Sequence, residues 1–76
     1  MEKAYVLLNI EIDSKREVLD SLKEIPEVKE AYPLYGVYDL IVLVEAETLE
    51  EIKDMINNRI RIIGKIRSTL SMICIK

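Results

Sequence analysis

Twice in 76 residues the chain repeats one succession: a stretch alternating at period two, a capping signature, then an amphipathic helix. Ala4 to Ile12 (AYVLLNIEI) places Val6, Leu8, Ile10 and Ile12 on one side and Tyr5, Leu7, Asn9 and Glu11 on the other, as a strand requires. Ser14 with Glu17 then reads as a capping box, and Lys15 to Ile25 carries Val18, Leu19, Leu22 and Ile25 on one helical face. Pro26 ends that helix by pushing Ile25 out of helical geometry. In the second half Leu40 to Ala46 (LIVLVEA) is apolar on both sides, which marks a central strand. Thr48 with Glu51 opens a helix from Leu49 to about Asn58 that points Leu49, Ile52, Met55 and Ile56 inward, with Ile60 and Ile63 extending the stripe.

Two further strands complete the pattern. Val28 to Leu34 contains Pro33, which cannot donate to a ladder and so belongs on an edge. Ile66 to Ile75 follows the break at Gly64. The order β-α-β-β-α-β predicts an α+β, ferredoxin-like sandwich over residues 1–76 as a single domain: a four-stranded antiparallel sheet with two helices on one face. The first and third strands become central. Alternation puts Val6, Leu8, Leu40, Val42, Val44, Leu70 and Met72 under the helices. It puts Tyr5, Leu7, Ile41, Leu43, Thr69, Ser71 and Ile73 on the opposite face.

That opposite face is apolar in a chain too small to waste apolar surface. A domain of this length buries only about 60% of its unfolded surface. A single cysteine, Cys74, and the absence of histidine remove internal disulfides and the usual zinc sites as supports. Exposed together, Tyr5, Leu7, Ile41, Leu43 and Ile73 predict a homodimer packed sheet against sheet. The alternative is a loosely covered monomer.

Several functions are disfavoured. With no histidine there is no His-assisted nucleophile, and Cys74 reads as a buried, inert thiol. Gly36 and Gly64 stand alone, so no phosphate loop exists. A net charge of −3 and a single sheet-face tyrosine make a poor nucleic-acid platform. Neither a signal peptide nor a membrane-length apolar run is visible, which suggests a soluble, cytoplasmic protein. Asp39 is the only acid beside a turn with apolar neighbours, so no carboxylate pair for acid–base work is expected, and the chain reads as a non-enzyme that needs no cofactor or metal. What remains is the turn Leu34-Tyr35-Gly36-Val37-Tyr38-Asp39. Gly36 bares backbone, Asp39 offers a carboxylate to an ammonium, and Thr69 and Ser71 add hydroxyls, a set able to hold an amino acid at a subunit boundary. Turn chemistry alone already explains both Gly36 and Asp39. Two cations, Arg61 and Arg67, flank or enter the last strand, and either could meet a ligand carboxylate.

The run Gly36-Val37-Tyr38-Asp39-Leu40-Ile41-Val42 resembles the G-x-Y-D-hydrophobic signature of the leucine-responsive regulator/AsnC (Lrp/AsnC) family, in its effector or RAM domain. Ala4-Tyr5-Val6-Leu7 resembles that domain's opening strand, and Ile25-Pro26-Glu27-Val28 its helix end. Gly64-Lys65-Ile66 with Thr69-Leu70-Ser71 resembles its final strand. The resemblance implies sheet-to-sheet dimers assembled into rings, often octamers or decamers. It implies an amino-acid or related effector bound between dimers near Gly36, Tyr38 and Asp39 of the turn and Thr69 and Ser71 of the last strand. It also implies a stand-alone member, since family regulators begin with a helix-turn-helix DNA-binding domain; such a member would not bind DNA itself. A shared sheet interface would also allow it to co-pack with full-length regulators. A ligand-free assembly module is the rival reading. A small dimeric ferredoxin-like enzyme ranks last.

Overall fold

β1 (Glu2–Ile10) and β3 (Leu40–Ala46) form the centre of a four-stranded antiparallel sheet in a computed structural model that describes residues 1–75. β2 (Val28–Pro33) and β4 (Ile66–Ile73) are the edges, in the order β2-β3-β1-β4. α1 (Lys15–Lys23) and α2 (Leu49–Met55) connect them, giving the expected β-α-β-β-α-β sandwich. Pro33 falls on edge strand β2, where its missing N–H is harmless.

Period two explains the core. Ala4, Val6, Leu8 and Ile10 of β1 and Leu40, Val42, Val44 and Ala46 of β3 are buried, and Tyr5, Leu7, Asn9, Ile41, Leu43 and Glu45 between them are not. Val18, Leu22 and Ile25 of the first helical segment join this cluster, with Ile52, Met55, Ile56 and Ile60 of the second. Each of the larger aliphatic side chains contributes roughly 1.5–3 kcal/mol by leaving water.

The boundaries depart from expectation where local chemistry intervenes. β1 ends at Ile10, not Ile12, and Ile12 is exposed. Asp13 adopts φ +63 in the turn that follows. Ser14 is buried but caps nothing: its Oγ donates to the Glu11 carbonyl at 2.6 Å, so the expected box with Glu17 does not form. Leu49 is 38% exposed rather than buried. It occupies the first turn of α2, three residues beyond the end of β3.

The second helix also changes character. α2 gives way to a wider π-helical turn, Ile56–Ile60, closed by the Arg61 N–H donating to the Ile56 carbonyl at 2.9 Å. In an α-helix, residues four apart drift by about 40° around the axis. The wider turn takes up that drift and keeps Ile52, Ile56 and Ile60 facing the sheet.

Thr48 behaves as its sequence predicts. Its Oγ1 accepts from the Glu51 N–H at 3.1 Å and donates to the Glu51 carboxylate. Thr48→Ala is therefore expected to lower stability by ~1 kcal/mol in urea denaturation, while Ser14→Ala gives no capping loss.

The largest correction concerns β4. Its register pairs Leu8 with Thr69, Val6 with Ser71 and Ala4 with Ile73, and it pairs Leu7 with Leu70 and Tyr5 with Met72. Paired residues share a face. Thr69, Ser71 and Ile73 therefore lie on the helix side, and Leu70 and Met72 on the open side, the reverse of the expected alternation. The cause is a β-bulge: Asn9 pairs with Ser68 and Ile10 with Ile66, leaving Arg67 as an extra residue. Ile66 packs against the core, and one unpaired residue inverts the parity of everything after it.

Candidate functional site

The β2–β3 connection turns on Gly36. Its φ of +125 is one that L side chains rarely adopt, although a Cβ there would meet nothing within 4 Å. Conformation rather than space requires the glycine. The turn is closed by the Leu34 N–H donating to the Asp39 carbonyl at 2.9 Å. Tyr35 and Val37 project into solvent and Tyr38 is half-buried.

Asp39 ties this turn to the central strand. Its N–H donates to the Leu8 carbonyl at 2.9 Å, and its Oδ2 accepts from the Ile10 N–H at 2.9 Å. The β1–β3 ladder ends at the Leu8–Leu40 pair. Asp39 thus supplies a side-chain acceptor where β1 runs past its partner strand, so the carboxylate has a structural task.

Beside it opens a polar cleft of about 440 Å³ lined by Asn9, Ile10, Val37, Asp39, Arg67 and Ser68. The bulge puts Arg67 there, since an extra residue re-aims the edge strand locally. Asn9 Nδ2 approaches Ser68 Oγ at 3.4 Å on the same wall. Among the described residues, no carboxylate lies within 4 Å of the Arg67 guanidinium. An acid and a base therefore line one cleft without pairing, which leaves both available to a third group. A second cleft of about 320 Å³ adjoins the first along β4, lined by Arg61, Ile66, Arg67, Ser68 and Thr69.

Of the residues expected at the site, Asp39 lines the first cleft and Thr69 the second. Gly36 shapes the turn that carries Asp39 but lines neither, nor do Tyr38 and Ser71. Asn9, Val37, Arg67 and Ser68 are additions. Arg61 and Arg67 are equal candidates in the sequence for a ligand carboxylate, and nothing in the spacing of β4 signals the bulge that brings Arg67 into one cleft with Asp39.

The open sheet face carries half-buried Leu7, Ile41 and Leu43 together with exposed Tyr5, Leu70 and Met72. Ile73, expected there, packs on the core instead, and Leu70 and Met72 replace it. At the β2 margin the Tyr32 hydroxyl donates to Glu30 Oε1 at 3.1 Å, and that hydrogen bond to a carboxylate raises the phenol above its usual value of 10.0. Lys3 and Glu45 approach to 3.9 Å across the sheet. Cys74 is exposed, not buried as its sequence position suggested, because it lies just past β4, where its N–H donates to the Lys3 carbonyl. Among the described residues no cluster of three potential metal ligands occurs, and no helix is long and apolar enough to cross a membrane.

These features define a split βαβ domain with an apolar sheet face and a polar cleft, lined by an acid and a base, at the end of the sheet. Comparison with known proteins gives the class a family. Residues 3–76 match the model of the Lrp/AsnC ligand binding domain. The crystal structure of FFRP-DM1 superposes with a TM-score of 0.95 at 44% identity, covering 99% of this chain and 100% of that one. A hypothetical protein from Pyrococcus horikoshii superposes with a TM-score of 0.93 at 43% identity, covering 100% and 92%. The HTH-type transcriptional regulator FL11 of the same organism is 32% identical over 76 residues, 96% of this chain and 48% of its own length. The chain belongs to the Lrp/AsnC family as a ligand-binding domain. It spans about half the length of the curated regulators it matches.

Proposed function

We propose that the protein senses an amino acid or a related zwitterion in the cleft between Asp39 and Arg67, in an assembly of dimers. The observation that carries this reading is the unpaired acid and base across one polar cleft beside the Gly36 turn. An ammonium would meet the free oxygen of Asp39, whose other oxygen is held by Ile10, and a carboxylate would meet the planar fork of Arg67. Gly36 and Tyr38 would act by shaping the turn, and Thr69 and Ser71 from the neighbouring stretch of β4. A regulator from Neisseria meningitidis with this fold, 16% identical and with a TM-score of 0.89, has been solved as an L-methionine complex. That supports the ligand class for the fold.

Calorimetry against the twenty amino acids tests the site. Arg67→Gln is the informative variant, because Arg67 is exposed and its loss should leave the fold intact. At least one amino acid should bind, and the variant should bind it at least about tenfold more weakly. If no amino acid binds, or if Arg67→Gln binds as well as the parent, the assignment is wrong.

Assembly follows from the open face. Two copies packing Tyr5, Leu7, Ile41, Leu43, Leu70 and Met72 together would bury the exposed apolar surface. Dimers would then close into rings, and the same surface would admit full-length regulators of the family into mixed assemblies. The apolar face by itself also favours a second reading, an assembly module without a ligand. In that case no metabolite raises the melting temperature, whereas a ligand at about 100 times its dissociation constant adds roughly 2.7 kcal/mol.

A further inference from the structure

The cleft along β4 is chemically unlike its neighbour. Arg61 follows the π-helical turn and Arg67 is the bulge residue, and both arginines line one space with Ser68 and Thr69. Among the described residues neither has a carboxylate within 4 Å. Arg61 Nη1 donates to Asn57 Oδ1 at 3.3 Å, which leaves the other donors of its fork unused. Its charge is also favourable at the end of a helix, where carbonyls are exposed. Among the described residues the Arg67 side chain has no such partner. Two cations facing one small volume repel each other, and this happens in a chain whose net charge is −3, with acids in excess elsewhere. A planar or tetrahedral oxyanion relieves that repulsion and meets the fork of Arg61 and the remaining donors of Arg67, with the two hydroxyls as further donors.

We infer that this second cleft is an anion subsite that takes a carboxylate or phosphate group carried by the effector beyond its α-carboxylate. The inference rests on the preceding reading for the ammonium and α-carboxylate, which Asp39 and Arg67 hold in the first cleft. Arg67 borders both clefts, so the two subsites are contiguous. The effector class is then an acidic amino acid, or an amino acid with a phosphorylated side chain, rather than a branched aliphatic one.

The experiment is calorimetry on the whole chain with L-glutamate, L-glutamine and inorganic phosphate, using the parent and Arg61→Gln. Arg61 is exposed and lines only the second cleft, so the variant leaves the first one complete. L-glutamate should bind at least about tenfold tighter than L-glutamine, and Arg61→Gln should erase that preference without weakening L-glutamine. Inorganic phosphate alone should bind weakly to the parent and not to the variant. If the parent binds the acid and the amide equally, the subsite is refuted while the amino-acid site stands. If neither amino acid binds but phosphate does, and Arg61→Gln abolishes it, the subsite stands and the amino-acid reading loses its support. Phosphate and L-glutamate binding that is absent, or indifferent to Arg61→Gln, overturns the inference.

Discussion

Asp39→Ala is expected to destabilise the domain by about 2 kcal/mol, lowering its melting temperature by roughly 10 °C, with no ligand present. The substitution strands the N–H of Ile10, a residue that is 8% exposed, and a buried donor without a partner carries its full desolvation penalty. Asp39→Asn keeps a side-chain oxygen in the same place and should recover most of the loss. Thermal denaturation followed by circular dichroism separates the outcomes. Equal melting temperatures for the parent and the alanine variant would show that the carboxylate does not hold the strand end. The result also governs how the site is probed. A ligand assay on Asp39→Ala mixes a lost contact with a loosened turn, and Arg67→Gln does not.

The second large effect concerns self-association. Leu43 lies on central strand β3, opposite Tyr5, in the middle of the open sheet face. Leu43→Glu would place one carboxylate from each copy inside a two-fold interface, where each would be desolvated and face its own image. Dimer dissociation should become at least roughly a hundredfold easier, and sedimentation at micromolar concentration should show a monomer. The core should survive, because Leu43 points away from Val42 and Val44. A parent protein that sediments as a monomer under the same conditions would remove the basis for the dimer.

Much of this architecture is legible in the residues. β3 runs over Leu40–Ala46 as its apolar pattern predicts, because a strand covered on one face and partly covered on the other has little alternative. Pro33 marks its own edge. The helices announce themselves through Val18 and Leu22 and through Ile52 and Ile56. The failures come from single residues whose effect is not periodic. Arg67 adds one position to β4 and turns Leu70, Met72 and Ile73 over. Ser14 has a competing acceptor at Glu11, so a capping signature yields a turn instead. The candidate site suffers most, since it is built where regular pairing stops. Asp39 was visible as an unusual carboxylate, but its bond to Ile10 depends on where β1 outruns β3. The placing of Asp39 and Arg67 in one cleft depends on the bulge as well.

That strand-end bond has a consequence for observation. The Ile10 amide proton is held by a side chain on another loop rather than by a neighbouring strand. Its rate of exchange with deuterated solvent therefore follows the opening of the hairpin turn more closely than the unzipping of the sheet. A molecule that settles against Asp39 and stiffens the turn would slow that exchange at one amide. A molecule that competes for the carboxylate would quicken it. The protein thus carries a built-in spectroscopic reporter at the place where its ligand is expected to act.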